Sequence, residues 1–221
     1  MGYEQEYHQE VHAYLHDDRT YALFARINRK RYFSRVNVSD RVFEYGCGLG
    51  QNLYGLPTSE KLGYDTSEYA RAFATKKGLK VVATLEGVAR QSFDFAISRH
   101  TMEHVDDPLA HLHLLRGLLK PQGWLILIVP EESVHALSDY KPDVNNHLFS
   151  WTPRTLANLL YRSSFDVASI RREPNSGLRF FASVADRWYG WYRVAMQVTD
   201  WLRDMKGEWV VEAQPRGGDA L

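Results

Sequence analysis

The stretch Arg41-Val42-Phe43-Glu44-Tyr45-Gly46-Cys47-Gly48-Leu49-Gly50 constrains the fold more than any other, read together with Asp65 downstream. Val42 and Phe43 open an apolar run behind the polar break Ser39-Asp40-Arg41, which predicts a buried strand entering a sheet. Glycines at 46, 48 and 50 then allow a sharp turn and a close approach of backbone to a ligand, because no Cβ intervenes. A second strand, Lys61-Leu62-Gly63-Tyr64, ends at Asp65, where a carboxylate can accept hydrogen bonds from both hydroxyls of a ribose. Together the two strands predict a nucleoside-containing ligand lying across their carboxyl ends.

A dinucleotide fingerprint asks for G-x-G-x-x-G, with the third glycine packing helix against strand. Gln51 stands in that place, the spacing is G-x-G-x-G, and Glu44 lies two positions before Gly46. An acid there repels a pyrophosphate and suits a ligand carrying positive charge, such as an amino group or a sulfonium. The loop, followed by Gly63-Tyr64-Asp65-Thr66-Ser67, resembles the first two motifs of class I S-adenosylmethionine-dependent methyltransferases. The order continues downstream. Phe93-Asp94-Phe95-Ala96-Ile97-Ser98 reads as a fourth strand and runs into Arg99-His100-Thr101-Met102-Glu103-His104-Val105, similar to the family's aliphatic run ending in Glu-His-Val. A leucine-rich helix from Leu109 to Leu119, a turn at Pro121-Gln122-Gly123-Trp124 and a buried fifth strand from Trp124 to Val129 follow. A His147, aromatic, Thr152-Pro153 arrangement then starts the next helix.

The resemblance implies an α/β fold: a doubly wound, Rossmann-like, mostly parallel seven-stranded sheet. Its last strand, about Glu208 to Ala213, would lie antiparallel between the fifth strand and a sixth from Phe165 to Arg171. It divides the chain into an N-terminal helical cap (1–36), a methyltransferase domain (37–214) carrying a helical insertion (178–206), and a tail (215–221). It implies S-adenosylmethionine as cofactor. Gly46, Cys47, Gly48 and Gly50 would form the backbone wall, Glu44 would face the methionine end, and Asp65 and Thr66 the ribose side. Leu85 or Glu86, after a third strand from Lys80 to Ala83, would meet the adenine, and Ser98 and Arg99 would flank the donor. A plainer reading of Glu44, as a satisfied capping carboxylate, stays open.

One departure from the family stands out. Pro57 follows Gln51 to Leu56 so closely that the helix after the loop has room for only one or two turns. Elsewhere, Ser67 predicts an N-cap for a helix from Glu68 to Lys77 that Gly78 stops. In the insertion, Phe181, Val184, Trp188, Trp191, Ala195, Val198, Leu202 and Met205 recur at helical spacing, with a kink expected at Gly190. Such a stripe packs on the core, walls an acceptor pocket with aromatic rings, or pairs two copies into a homodimer.

Composition narrows the function classes. Lys+Arg and Asp+Glu both number 27 and no basic-aromatic strip is visible, so the chain lacks the footprint of a nucleic-acid binder. The single cysteine, Cys47, excludes an internal disulfide and a multi-cysteine metal site. No apolar run is long enough to span a bilayer, and a cytoplasmic location is the expectation. His8, His12 and His16 share a helical face, but no carboxylate completes a metal set, so no metal is assigned.

Methyl transfer from a sulfonium needs alignment of donor and acceptor and exclusion of water; a hydroxyl acceptor also needs a base. His100 is the first candidate base, with His147 and His104 behind it, because imidazole accepts protons near neutral pH. Each of the three has a purely structural reading as well, and His111 and His113 read as helix-surface residues. The expected acceptor is a small molecule: a sugar, a phenol or quinone, or another metabolite. The alternatives are a non-catalytic donor-binding or regulatory protein of the same fold, and a nicotinamide oxidoreductase, against which Glu44 and Gln51 argue.

Overall fold

The computed structural model describes residues 13–131, 145–174, 178–203 and 207–217. A 3-10 turn, Ala13–His16, leads into α1 (Asp18–Tyr32), started by Asp17, whose side chain accepts a hydrogen bond from the Thr20 N–H at 2.8 Å. His8, His12 and the start of the expected cap lie outside the described residues. His16 packs edge-on against Phe73 and lies 3.0 Å from the Tyr69 hydroxyl.

Seven strands form one sheet in the order β3-β2-β1-β4-β5-β7-β6. They are β1 (Val42–Tyr45), β2 (Lys61–Tyr64), β3 (Val81–Val82), β4 (Phe93–Arg99), β5 (Leu119–Pro130), β6 (Phe165–Pro174) and β7 (Gly207–Pro215). The pairs β1–β2, β2–β3, β1–β4 and β4–β5 are parallel, and β7 runs antiparallel to both β5 and β6. The predicted topology therefore holds, last strand included. Strand order reverses between β1 and β4, the switch point beside which open α/β sheets bind ligands.

Alternation along the strands builds two cores. Phe43, Ala96, Leu125, Leu127, Val129 and Val211 face α4 (Pro108–Leu118) and α5 (Pro153–Arg162), meeting Leu112, Leu115, Leu156 and Leu160. Val42, Phe95, Ile97, Ile126, Ile128 and Val210 face the other way, toward Tyr32 of α1 and Leu53 of α2 (Gln51–Gly55). Each such side chain contributes about 1.5–3 kcal/mol on burial. Leucine-rich α4 and the apolar run of β5 are thus two halves of one interface.

Local signals set the boundaries. Ser67 caps α3 (Glu68–Lys76) by accepting from the Ala70 N–H, and Thr152 caps α5 in a reciprocal capping box with Thr155. Helix α2 has only five residues, as Pro57 requires. Two expectations are corrected. The turn at 121–123 is an excursion within β5: Phe93 pairs with Leu119 and Phe95 with Trp124, so residues 120–123 bulge from the ladder. The insertion is two helices, α6 (Leu178–Arg187) and α7 (Tyr189–Arg203), and they part at Trp188 rather than bending at Gly190.

Candidate active site

Three strand ends open into one cavity of about 590 Å³. Its walls come from Tyr45 to Leu49 after β1, Tyr64 to Ser67 after β2, and Arg99 to Thr101 and His104 to Asp107 after β4. Leu15, Gln51, Asn52 and His111 complete it. The size lies within the range of small-molecule sites.

The glycine loop is shaped as its sequence predicts. Gly46, Gly48 and Gly50 all take positive φ, from 51° to 79°. A Cβ on Gly46 would stand 2.3 Å from Thr101 Oγ1, so the loop meets the β4 end in backbone-to-side-chain contact. Asp65 ties the loop to β2: Oδ2 accepts from the Gly48 N–H at 2.7 Å and Oδ1 from the Ser67 N–H at 2.9 Å. Cys47 lines the cavity, and burial raises its thiol well above the usual range, which leaves it protonated and inert.

Five of the expected donor residues do not reach the cavity wall. Glu44 is fully buried beneath the loop, where Asn52 Nδ2 donates to its Oε1 at 2.6 Å. Asn52 in turn accepts from Asn28 of α1 at 2.8 Å. Burial pushes the Glu44 carboxyl up to about 8, against the hydrogen bond from Asn52, so it is held neutral over most of the physiological range. Asn52 therefore stands between Glu44 and the cavity. Ser98 shares the sheet face of its register partner Tyr45 but is fully buried there and does not line the cavity. Gly50 is small for packing: a Cβ there would meet Leu79 Cδ1 at 2.4 Å. Leu85 packs against the α4-side core and Glu86 is exposed; neither lines the cavity, since β3 is only two residues long and the loop after it runs away from the site.

At the end of β4, Arg99 Nη2 donates to Glu208 Oε1 at 3.0 Å. Burial opposes the charge on Arg99, yet Glu208 more than offsets it and raises the guanidinium's pKa. His100 lines the cavity with φ +52°, a left-handed conformation that an L-residue adopts at a cost. Burial first, then Arg99, lowers its pKa, with Glu208 pulling the other way; the ring is neutral at neutral pH. His104 also lines the cavity, its ring 4.8 Å from that of His147. His147 itself stands behind His104, outside the lining, on a segment anchored by the Leu148 N–H to the Glu103 carbonyl.

Glu103, His104 and His147 bring three ligand-type atoms within 4.8 Å of one another, a grouping the sequence reading did not assemble. Ligands about 2.0–2.2 Å from one ion stand at most about 4.4 Å apart, so a cation would hold this set only by drawing it in.

Several wall residues were not singled out from sequence. His111, expected on a helix surface, turns inward: its ring meets Tyr45 edge-on at 5.3 Å and its Nδ1 lies 2.7 Å from the Asp107 carbonyl. Its place one turn from the N-cap Asp107 was the available signal. Tyr45 and Tyr64 stack at 4.9 Å across β1 and β2. Gln51 and Asn52 sit where a longer helix would have begun.

Residues 14–170, well over half of the chain, match the model of the methyltransferase domain family. The chain belongs to that family. Its fold is that of class I S-adenosylmethionine-dependent methyltransferases. Ubiquinone biosynthesis O-methyltransferases are among its relatives: that of Dinoroseobacter shibae is 34% identical over 99 residues, covering 39% of this chain and 39% of the relative. The enzyme of the same name from Ruegeria pomeroyi is 34% identical over 96 residues, 38% of each chain. The match thus spans well under half the length of these relatives. Among solved structures, an S-adenosylmethionine-dependent methyltransferase from Archaeoglobus fulgidus superposes with TM-score 0.62 at 19% identity, covering 93% of this methyltransferase and 99% of that chain. One from Mesorhizobium loti gives 0.61 at 18% identity, covering 87% and 99%. Among the described residues no helix is long and apolar enough to cross a membrane.

Proposed function

We propose that this methyltransferase holds S-adenosylmethionine across the carboxyl ends of β1, β2 and β4 and methylates a small-molecule hydroxyl or amine, a phenolic oxygen first among them. The observation that carries the reading is the cavity at the switch point, walled by the Gly46–Gly48 backbone and by Asp65. The glycine wall fits the donor because only bare backbone leaves room beside Thr101, and the buried side-chain Oε1 of Gln51, without a protein partner, offers an acceptor for it. The names of the curated relatives favour oxygen over nitrogen and a phenolic ring over a sugar.

When bound, the donor supplies a methyl group already activated by its sulfonium. The chain's own part is alignment, dehydration and proton removal. Asp65, held in place by the Gly48 N–H, orients the nucleoside, Thr66 flanks it, and Arg99 stays paired with Glu208, so it adds no free positive charge against the sulfonium. His100, neutral and on the cavity wall, takes the acceptor's proton, with His104 as the second imidazole in reach and His147 supporting it. A base of this kind contributes about 10²–10⁴ in rate.

S-adenosylhomocysteine at a hundred times its Kd adds about 2.7 kcal/mol to stability, which thermal unfolding reads directly. No shift at millimolar ligand would refute donor binding. Transfer of labelled methyl to a panel of phenols, catechols, sugars and amines then tests the acceptor; binding without transfer to any of them would favour the non-catalytic alternative, for which the five-residue α2 speaks.

A further inference from the structure

Glu208 lies on β7, far in sequence from every motif of the site, and it is completely buried. An isolated buried carboxylate is costly, and this one is met by groups from two elements, α1 and the end of β4. The Tyr32 hydroxyl at the end of α1 donates to Oε2 at 2.7 Å. Arg99 donates to Oε1 at 3.0 Å, and His100 Nε2 faces the same oxygen at 3.4 Å. The Arg99 guanidinium also lies over the Tyr32 ring, 5.4 Å from its centre.

We propose that Glu208 is a positioning residue: held by Tyr32 and Arg99, it forms a carboxylate–imidazole dyad with His100 and fixes the ring that faces the acceptor. The dyad rests on the reading of His100 as the base. A buried counter-ion for Arg99 would explain Oε1 alone. It would not explain why the neighbouring residue takes a left-handed backbone, its N–H anchored to the Ile128 carbonyl at 2.9 Å, with its ring nitrogen turned to that same oxygen. Such strain persists where the surroundings over-determine it. The 3.4 Å separation is longer than an ideal hydrogen bond, as catalytic contacts without substrate commonly are.

Nε2 lies 3.4 Å from Glu208 Oε1 without hydrogen-bond alignment; once its N–H turns onto Glu208, Nδ1 is the ring's proton-accepting atom. The acceptor's O–H proton passes to Nδ1 as its oxygen bonds to the methyl carbon; the carbon–sulfur bond breaks and sulfur keeps the electron pair. The resulting imidazolium stands beside Glu208, which offsets its charge until the proton leaves to solvent. Arg99 and His147 oppose that cation, so Glu208 supplies the stabilising charge.

Imidazole nitrogen NMR on the full-length protein tests this, with the His100 signal assigned from H100Q. The expected spectrum is a neutral Nε2–H tautomer in the wild type, lost in E208Q and weakened in Y32F. In E208Q, turnover of a phenolic acceptor falls about 10–10²-fold with the donor KM unchanged. A wild-type Nδ1–H tautomer, or a tautomer unchanged in E208Q, would overturn the dyad. If E208Q does not fold, Y32F decides: it keeps the carboxylate and removes one donor, and an unaltered His100 signal there overturns the proposal. The expected tautomers with unimpaired turnover in H100Q would instead sink His100 as base and leave the dyad standing.

Discussion

The carboxyl edge of the sheet and the α6–α7 insertion invert each other's burial. At the edge, polar groups are inside: Glu44, Ser98, Glu103 and Glu208 are all fully buried. In the insertion, apolar groups are outside: Val184, Trp188, Trp191, Val194 and Val198 are exposed, Trp191 to 74%. The first arrangement costs stability, offset at Glu208 by Tyr32 and Arg99 and at one Glu44 oxygen by Asn52. The second leaves an apolar face that no described residue covers. The insertion's inner face is ordinary core, with Ala182, Ala185, Tyr192 and Met196 on Leu15, Tyr21 and Ile27, and Asp186 pairs with Arg26 and Lys30 of α1. No described residue of the insertion lines the cavity, and of the readings open for its stripe the contacts of α6 and α7 favour packing on the core. Chemistry belongs to the edge, and the insertion is a surface.

The comparison can be broken at either end. The largest effect is expected from Asp65→Ala, which removes the acceptor of the Gly48 and Ser67 N–H groups and, on the proposed reading, of the donor's ribose. Affinity for S-adenosylhomocysteine should fall about 10²-fold by calorimetry, as for loss of charge-assisted hydrogen bonds of about 1.5–3 kcal/mol; an unchanged Kd would remove Asp65 from the donor site.

Gly46→Ala should cost about 1–2 kcal/mol from its left-handed backbone alone. The new methyl must also displace Thr101, so denaturant unfolding and donor affinity should both worsen. A variant as stable as the wild type would show that the loop is not held by that contact.

Glu44→Gln should change the pH dependence of stability. A carboxyl raised to about 8 by burial contributes fully below the ordinary carboxylate range, and that contribution is lost as pH rises through about 8. The wild-type Tm should therefore decline between pH 5 and 9 relative to Glu44→Gln, which keeps the bond from Asn52 and cannot ionise. Parallel curves would show that Glu44 is ionised in the folded protein.

The smallest effect is expected from Trp191→Ser: stability within about 0.5 kcal/mol and donor affinity unchanged. Light scattering sharpens the point. If a second copy covers this face, the wild type runs as a dimer and the Trp188→Ser, Trp191→Ser double variant as a monomer; a monomeric wild type rules the homodimer out.

Much of this molecule was legible from local rules. The caps at Ser67 and Thr152, the short α2 before Pro57 and the positive-φ glycine loop each depend on a few neighbouring residues. Other features were not legible because their causes are distant. Glu208 lies more than a hundred residues from Arg99 and meets it because β7 inserts between β5 and β6. His111 turned inward because Tyr45 and the α4 cap meet it there, which helical periodicity alone does not say.

The chain by itself determined that a glycine loop and an acid would meet at adjacent strand ends, since both features are written within about 25 residues and depend on backbone sterics. Only the tertiary structure decided which side chains reach the cavity. Glu44 is turned away by strand alternation and Ser98 is covered by packing within a doubly covered sheet, while Asn52, His111 and Tyr64 are turned in. A side chain's solvent is set by what packs on it, and that is known only when the layers close.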